Sequence, residues 1–338
     1  MEKIKFAVIG VGRLGTVHAE NLVYRMPNAE LVAICDIDSP HAGKTAERLG
    51  VEHVFASYDD MLANVDIDAV VVATPPAVHR ECILAACAAK KHIFCEKPIG
   101  VTDEDLDLID KAVAENAGKV LQVGFMRRFD RSYADAKARV DRGDLGRIIK
   151  IRSISRDPSA QISDFIKLGP TLGGMFYDMS VHDLDLVRWF ADSEVESLYA
   201  IGGIYEFKDF AAFNDIDNCS ILIKFKNGTM AEVEGSKNAS CGYDVWMEIV
   251  GTKATLLINS ATTSFVTQKD EHGIRKECSP WFYDRFAEAY ERELHVFIET
   301  VFKGGESAMP AADARRVVEM ATLATRSYQT GTVVFNEK

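Results

Sequence analysis

Asp178 and His182 stand four positions apart in the run Gly173-Gly174-Met175-Phe176-Tyr177-Asp178-Met179-Ser180-Val181-His182. On a helix that spacing puts both side chains on one face, next to Asp185, where a carboxylate orients and supports an imidazole. Histidine suits removal of a hydroxyl proton at neutral pH, and hydride abstraction from an alcohol requires that proton to leave. The second chemical group is Lys97, which ends the apolar run His92-Ile93-Phe94-Cys95 inside Glu96-Lys97-Pro98, at the expected carboxyl end of a buried strand. Ligands bind at that edge of an open α/β sheet, and Pro98 fixes the turn that follows. An ammonium beside a forming alkoxide stabilises charge or relays the proton, which leaves His182 as the principal base. On local sequence alone, Lys97 also reads as a solvated loop lysine, and the Asp178 and His182 pair as a solvated helix face. Asp178, His182 and Asp183 or Asp185 could supply metal ligands, but no second histidine or cysteine pair accompanies them, so no metal is expected.

A third group points to a dinucleotide. Gly10-Val11-Gly12-Arg13-Leu14-Gly15 follows the strand-like run Ile4 to Ile9 and opens a helix, so backbone amides and the helix amino terminus can approach a pyrophosphate. Asp36 ends the second strand, 21 residues after Gly15, where a carboxylate accepts hydrogen bonds from ribose hydroxyls and repels a 2'-phosphate. NAD is therefore the expected cofactor, with NADP disfavoured. Arg13 has three open readings: tolerating a phosphate, stacking on adenine, or pairing with Asp36. Thr74 and Pro75 follow the strand Ala69 to Ala73 at the same edge and are candidates to lie beneath the nicotinamide ribose, a plain turn being the alternative. His79, Glu96 and Lys97 complete the candidates on the cofactor side, although capping or packing suits His79 better than chemistry.

The elements that must position these groups follow from the hydrophobic pattern. Ile4 to Ile9, Leu31 to Cys35 and Ala69 to Ala73 are continuously apolar and alternate with helical patterns, the rhythm of βαβ units whose parallel sheet is covered on both faces. The fold class expected is α/β, with a doubly wound Rossmann domain over residues 1–124. An α+β domain over residues 125–338 follows, built on a large, mostly antiparallel sheet. Its expected strands are Ile148 to Ser153, Ser220 to Lys226, Thr229 to Gly235, Val245 to Val250, Ala254 to Ile258 and Ser264 to Gln268. Asn227-Gly228 supplies the positive φ angles of a tight hairpin between the second and third of these. Tyr283 to Phe302 and Ala311 to Tyr328 read as helices, and Leu222 with Ile223 puts apolar residues on both faces of a late strand.

Composition narrows the partners. Of 338 residues, 39 are basic and 51 acidic, a net charge of -12 that opposes binding to a phosphate backbone, so nucleic acid is not expected. The seven cysteines form no C-x-x-C pair and mostly lie in apolar stretches, as in a reducing compartment. No apolar run reaches membrane-spanning length, and Met1 leads directly into the first strand, so a cytoplasmic protein without a membrane partner is expected.

Together the glycine fingerprint with Asp36, the Glu96-Lys97-Pro98 triplet and the Asp178-x-x-x-His182 helix start resemble the glucose-fructose oxidoreductase and inositol dehydrogenase family over nearly the whole chain. The inositol 2-dehydrogenase branch is the nearest likeness, through Gln122-Val123-Gly124-Phe125-Met126-Arg127-Arg128-Phe129-Asp130, Arg156-Asp157-Pro158 and Gly242-Tyr243-Asp244. The resemblance implies NAD-dependent oxidation of a cyclic polyol, first of all myo-inositol to 2-keto-myo-inositol. It also implies His182 as proton acceptor, Asp178 orienting it or binding a hydroxyl, and Lys97 against the reacting hydroxyl. Arg127, Asp157 and Tyr243 would bind the remaining hydroxyls, and Tyr290 is a further substrate candidate. A homotetramer is implied, and a dimer meets the same pattern. One departure bears on the substrate: the tryptophan expected ahead of Arg285 to Tyr290 comes one position early as Trp281, with Phe282 in its place. Competing readings are another inositol isomer or a pyranose as substrate, a dinucleotide-binding regulator, and a methyltransferase. Lys97-Pro98 and the second domain disfavour the last.

Overall fold

The computed structural model describes residues 3–337. In chain order the first elements are β1 (Ile4–Ile9), α1 (Arg13–Tyr24), β2 (Ala29–Cys35), α2 (Ser39–Leu49), β3 (His53–Phe55), α3 (Tyr58–Asn64), β4 (Ala69–Val72), α4 (His79–Ala88), β5 (His92–Glu96), α5 (Asp103–Glu115) and β6 (Leu121–Gly124). They are followed by α6 (Arg131–Asp141), β7 (Ile148–Pro158), α7 (Ile162–Leu172), α8 (Met175–Asp178), α9 (Ser180–Ala191), β8 (Val195–Gly203), β9 (Asn218–Phe225), β10 (Met230–Ala239), β11 (Asp244–Gly251) and β12 (Thr255–Ile258). The chain closes with β13 (Thr262–Asp270), β14 (Gly273–Cys278), α10 (Phe282–Lys303), α11 (Ala311–Thr330) and β15 (Val334–Phe335). Two compact units result: residues 3–126 with Tyr290–Arg316, and Arg127–Ala289 with residues 317–337.

In the first unit six strands pair in parallel in the order β3-β2-β1-β4-β5-β6. The order reverses at β1, so the carboxyl ends of β1 and β4 flank a crevice. Phe6, Val8, Val70 and Val72 are fully buried, as the continuous apolar runs require. One sheet face is closed from far along the chain: the Phe297 ring of α10 packs 6.1 Å from Phe6 and 5.9 Å from Phe94. Local sequence sets the helix ends. Asp38 caps α2 by accepting the His41 N–H at 3.1 Å, and Thr102 with Asp105 forms a reciprocal capping box on α5.

In the second unit seven strands run β12-β11-β7-β10-β9-β8-β15, antiparallel except for the β7 and β10 pair. Three expectations need correction here. Residues 264–268 belong to the longer β13, which leaves the large sheet and pairs only with β14 in a separate two-stranded ribbon. The strand expected to stop at Ser153 continues as β7 to Pro158, which carries Arg156 and Asp157 into the sheet. The β9–β10 turn has positive φ only at Gly228 (+86°), with the Gly228 N–H donating to Phe225 O and the Phe225 N–H to Thr229 O. Lys226 and Asn227 therefore form an ordinary turn whose exit glycine makes a bulge. Cys219, Ile221, Ile223 and Phe225 alternate inward along β9, while Leu222 faces out.

Candidate active site

The glycine loop of the first unit is built for close backbone approach. Gly10 has φ +86°, and a Cβ there would meet Ala73 O at 2.8 Å, while a Cβ on Gly15 would meet Gly10 O at 1.8 Å. Only glycine permits this turn together with this packing of α1. Gly12 opens α1 with open space around it and no side-chain cap, leaving the helix amino terminus available to an anion. Arg13 is exposed and Leu14 half-buried on the first turn. Asp36 accepts the Val11 N–H at 2.8 Å on one oxygen and the Asp38 N–H at 2.9 Å on the other, so its carboxylate is fixed against the turn. A carboxylate has about four lone-pair sites, so two hydrogen bonds leave acceptor capacity for ribose hydroxyls. The arrangement fits a dinucleotide carrying a free 2'-hydroxyl.

The neighbouring strand ends are tied together. His79 is fully buried, with Nδ1 2.8 Å from Pro98 O and Nε2 2.8 Å from Thr74 O, and so it braces the segments after β4 and β5. Burial pulls its pKa down, against the two carbonyls that favour the charged ring. Pro75 precedes a short 3₁₀ turn, Pro76–Val78, that leads into α4. Lys97 is half-buried directly beyond β5, joined to Pro98 by a cis peptide. The Glu96 carboxylate points inward, 2.7 Å from His18 Nε2, and Tyr290 is buried with its ring 6.0 Å from that of His18.

The second unit carries the remaining candidates. Asp178 ends α8 and His182 lies in the first turn of α9. Met179 joins the two helices with right-handed helical backbone angles, φ -96° and ψ -58°. The aspartates that follow His182 are engaged elsewhere. Asp183 Oδ1 accepts from Arg127 Nη1 at 3.0 Å, Ser153 Oγ at 2.6 Å and Ser155 Oγ at 2.9 Å, while Asp185 pairs with Arg128 at 2.6 Å. Held this way, Arg127 donates from Nη2 to the Tyr243 hydroxyl at 3.3 Å. Burial opposes the Arg127 charge, but Asp183 and the phenols outweigh it and hold the guanidinium above its ordinary range. Burial pushes the Tyr243 phenol up to about 12, with the buried Asp157 carboxylate adding to the rise and Arg127 opposing it. Tyr243 therefore stays a neutral donor and acceptor at physiological pH. Trp281 stands 5.9 Å from the Tyr243 ring, and the Phe282 ring lies 4.9 Å from Trp281 with the two planes tilted by 59°.

One site residue escaped the sequence reading. Lys237 Nζ lies 3.1 Å from Asp178 Oδ2 and 3.7 Å above the Phe165 ring, although the side chain is only 2% exposed. The signal was present in β10: Ala231, Val233, Gly235, Lys237 and Ala239 share the inward face by strand alternation, which places an ammonium among buried groups. The groups in this unit considered for a substrate are thus the cations Arg127 and Lys237, the carboxylates Asp157 and Asp178, the Tyr243 phenol and the His182 imidazole. Such a set is suited to a neutral molecule rich in hydroxyls.

Fold and site define an oxidoreductase with a nucleotide-binding Rossmann unit. Comparison with known proteins makes this specific. An oxidoreductase family with an NAD-binding Rossmann fold matches residues 4–125, and the GFO/IDH/MocA C-terminal domain matches residues 133–257. The chain is 36% identical over 329 residues to scyllo-inositol 2-dehydrogenase (NAD(+)) of Bacillus subtilis (strain 168), covering 97% of this chain and 95% of that protein. It is 32% identical over 327 residues to myo-inositol 2-dehydrogenase of Thermotoga maritima, covering 96% of each. Among solved structures, scyllo-inositol dehydrogenase from Lactobacillus casei with bound NAD(H) and scyllo-inositol superposes with a TM-score of 0.95 at 35% identity, over 99% of both chains. The protein belongs to the GFO/IDH/MocA oxidoreductase family and is an NAD-dependent oxidoreductase. Among the described residues no helix is long and apolar enough to cross a membrane.

Proposed function

We propose that this protein oxidises a ring hydroxyl of a cyclic polyol with NAD, first of all myo-inositol to 2-keto-myo-inositol, in the cytoplasm. The observation that carries this reading is the polar set of the second unit, where Arg127, Asp157, Asp178, His182, Lys237 and Tyr243 supply both donors and acceptors. In this proposal Gly10, Gly12, Arg13, Leu14 and Gly15 receive the pyrophosphate, Asp36 the adenosine ribose, and Thr74 and Pro75 the nicotinamide ribose. His79 braces those segments and Glu96 anchors the end of β5. Bound NAD supplies the hydride acceptor. His182 takes the hydroxyl proton as the C–H bond breaks, and the oxygen's electron pair forms the ketone. Lys97 stabilises the charge developing on that oxygen. Lys237 fixes the carboxylate of Asp178, which orients His182 or accepts a ring hydroxyl. Arg127, held by Asp183, directs one nitrogen to Tyr243, and Asp157 and Tyr290 complete the hydroxyl contacts.

Scyllo-inositol is the second reading, favoured by the 36% identity to the Bacillus subtilis protein named for that isomer. The two isomers differ only at the carbon that becomes the ketone, so oxidation there gives one product from either. The test is NADH formation with NAD and a panel of myo-inositol, scyllo-inositol, other isomers and pyranoses. Turnover of an inositol at least about tenfold above any pyranose, in kcat/KM, supports the proposal. Tight NAD binding without turnover of any polyol would favour a regulator instead. We also propose a homo-oligomer, because Ile201 and Leu222 expose apolar surface on adjacent strands of the seven-stranded sheet; the family resemblance ranks a tetramer before a dimer, which meets the same pattern. A monomer by light scattering contradicts that.

A further inference from the structure

Beneath Lys97 lies a polar cluster that the proposed chemistry does not use. His18 on α1, Glu96 on β5 and Glu293 on α10 are all buried, and one nitrogen or oxygen from each lies within 4.8 Å of the others. Glu96 is well anchored: Oε1 meets His18 Nε2 at 2.7 Å, and Oε2 accepts the Lys97 N–H at 3.3 Å. Gly124 makes room for it, since a Cβ there would stand 3.3 Å from Glu96 Oε1. Glu293 is different. It is fully buried, both carboxyl oxygens lack a hydrogen-bond partner in the protein, and His18 Nδ1 also lacks one. Around it, Phe94 stands 5.2 Å from the His18 ring, and the buried Gln122 donates from Nε2 to the Glu293 backbone carbonyl at 2.8 Å.

Two carboxylates this close in a dry interior do not both ionise, because their repulsion adds to the cost of burying each charge. Either a proton or a cation must neutralise the site. The geometry favours the proton. Two ligands on one ion at about 2.1 Å, at right angles or wider, lie at least about 3.0 Å apart, whereas His18 and Glu96 meet at a hydrogen-bond distance of 2.7 Å. The donors select which acid is neutral: Glu96 has two and Glu293 has none.

We infer that Glu293 is a neutral carboxylic acid, and that its neutrality lets Glu96 hold His18 and the Lys97 backbone, making Glu293 a positioning residue for Lys97. The inference rests on the reading of Lys97 as catalytic. Burial, then the Glu96 charge, raises Glu293 well above the ordinary carboxyl range. The titratable groups around it are Glu96 from β5, His18 from α1 and the Tyr290 phenol on its own helix, with Lys97 next along from Glu96. Ionising Glu293 sets two negative charges against each other and loosens the attachment of Lys97. Such a group contributes stability that is complete below its unfolded value near 4.5 and declines as pH rises toward its folded value.

The test is Glu293→Gln, a neutral side chain of the same shape, compared with the wild-type NAD-bound enzyme from about pH 6 to about pH 9. Three results are expected. The Tm of the variant rises relative to wild type as pH increases. Its kcat matches wild type within about twofold at the acid end and exceeds it at least about threefold at the alkaline end. The infrared carbonyl band of a protonated carboxyl, present in wild type near neutrality, is absent from the variant. Wild type more stable than the variant by the same margin at every pH overturns the inference. So does a stoichiometric divalent metal in purified wild type that the variant lacks. Should the variant not fold, alkaline titration of the wild-type infrared band decides alone, and no such band overturns the neutral acid. Normal turnover by Lys97→Ala would instead remove the role of Lys97 while leaving the stability and infrared results standing.

Discussion

Replacing Lys237 with methionine keeps an unbranched chain against Phe165 but removes the ammonium that faces Asp178. At 3.1 Å and an effective dielectric constant of about 20, the Coulomb attraction is about 5 kcal/mol. The Asp178 side chain is 17% exposed, so water recovers part of this for the stranded carboxylate. Loss of one partner from a buried pair costs about 3–5 kcal/mol, and partial exposure puts Lys237→Met at the lower end, about 3 kcal/mol. Asp178→Asn, which strands an almost fully buried ammonium, should cost at least as much. The double variant leaves no unpaired charge, so its cost should fall at least about 2 kcal/mol below the sum of the two. The assay is urea unfolding of the four proteins, run beside NADH formation, in which Lys237→Met should lose about tenfold to a hundredfold in kcat with NAD affinity intact. Coupling below about 0.5 kcal/mol, or turnover unchanged in Lys237→Met, would show that Lys237 does not position Asp178.

Three further outcomes follow from the same structure. His182→Ala and Lys97→Ala should each reduce turnover at least about a hundredfold while NADH binding, read by fluorescence titration, stays nearly intact; near-normal turnover sinks either role. Asp36→Ser removes the carboxylate fixed by Val11 and Asp38, so the ratio of kcat/KM for NADP to that for NAD should rise at least about tenfold, and an unchanged ratio would move cofactor selection to Arg13 or another group. His92 accepts the Val120 N–H at 3.0 Å on Nδ1, and burial, aided by Lys119, pulls it from 6.5 to about 4. Its stabilisation is complete above the unfolded value and declines as pH falls toward the folded one. The Tm of His92→Gln should therefore depend less on pH across that range, and identical slopes would refute the assignment.

The Rossmann unit was legible because each of its signals is local. Fully buried strands read as continuous apolar runs, Gly15 packs on Gly10 within the turn itself, and Asp36 sits at the fixed spacing that the end of the next strand dictates. The second unit was harder. Its site depends on alternation along β7 and β10 and on which strands become neighbours, and neither follows from residue types. Lys237 was hidden for that reason, since a lysine in a polar-looking strand end reads as exposed until register turns it inward. The partners of Asp183 and Asp185 were hidden in the same way. By spacing the two aspartates read as neighbours of His182, with a metal already disfavoured, whereas their partners Arg127 and Arg128 lie more than fifty residues away in sequence. The ribbon of β13 and β14 shows the same limit: strand character was readable over residues 264–268, whereas the choice of partner was a tertiary matter. Glu293 gave no sequence signal, because a glutamate on an amphipathic helix is ordinarily solvated.

The most direct measurement is hydride transfer itself. Purified protein is mixed with NAD and myo-inositol carrying deuterium at the carbon to be oxidised, and both products are read by mass spectrometry. The expected result is 2-keto-myo-inositol in equal amount with NADH carrying one deuterium, and a slower rate than with unlabelled substrate wherever C–H cleavage limits turnover. Absence of labelled NADH with this isomer and with scyllo-inositol similarly labelled, at NAD concentrations that saturate binding, would contradict it.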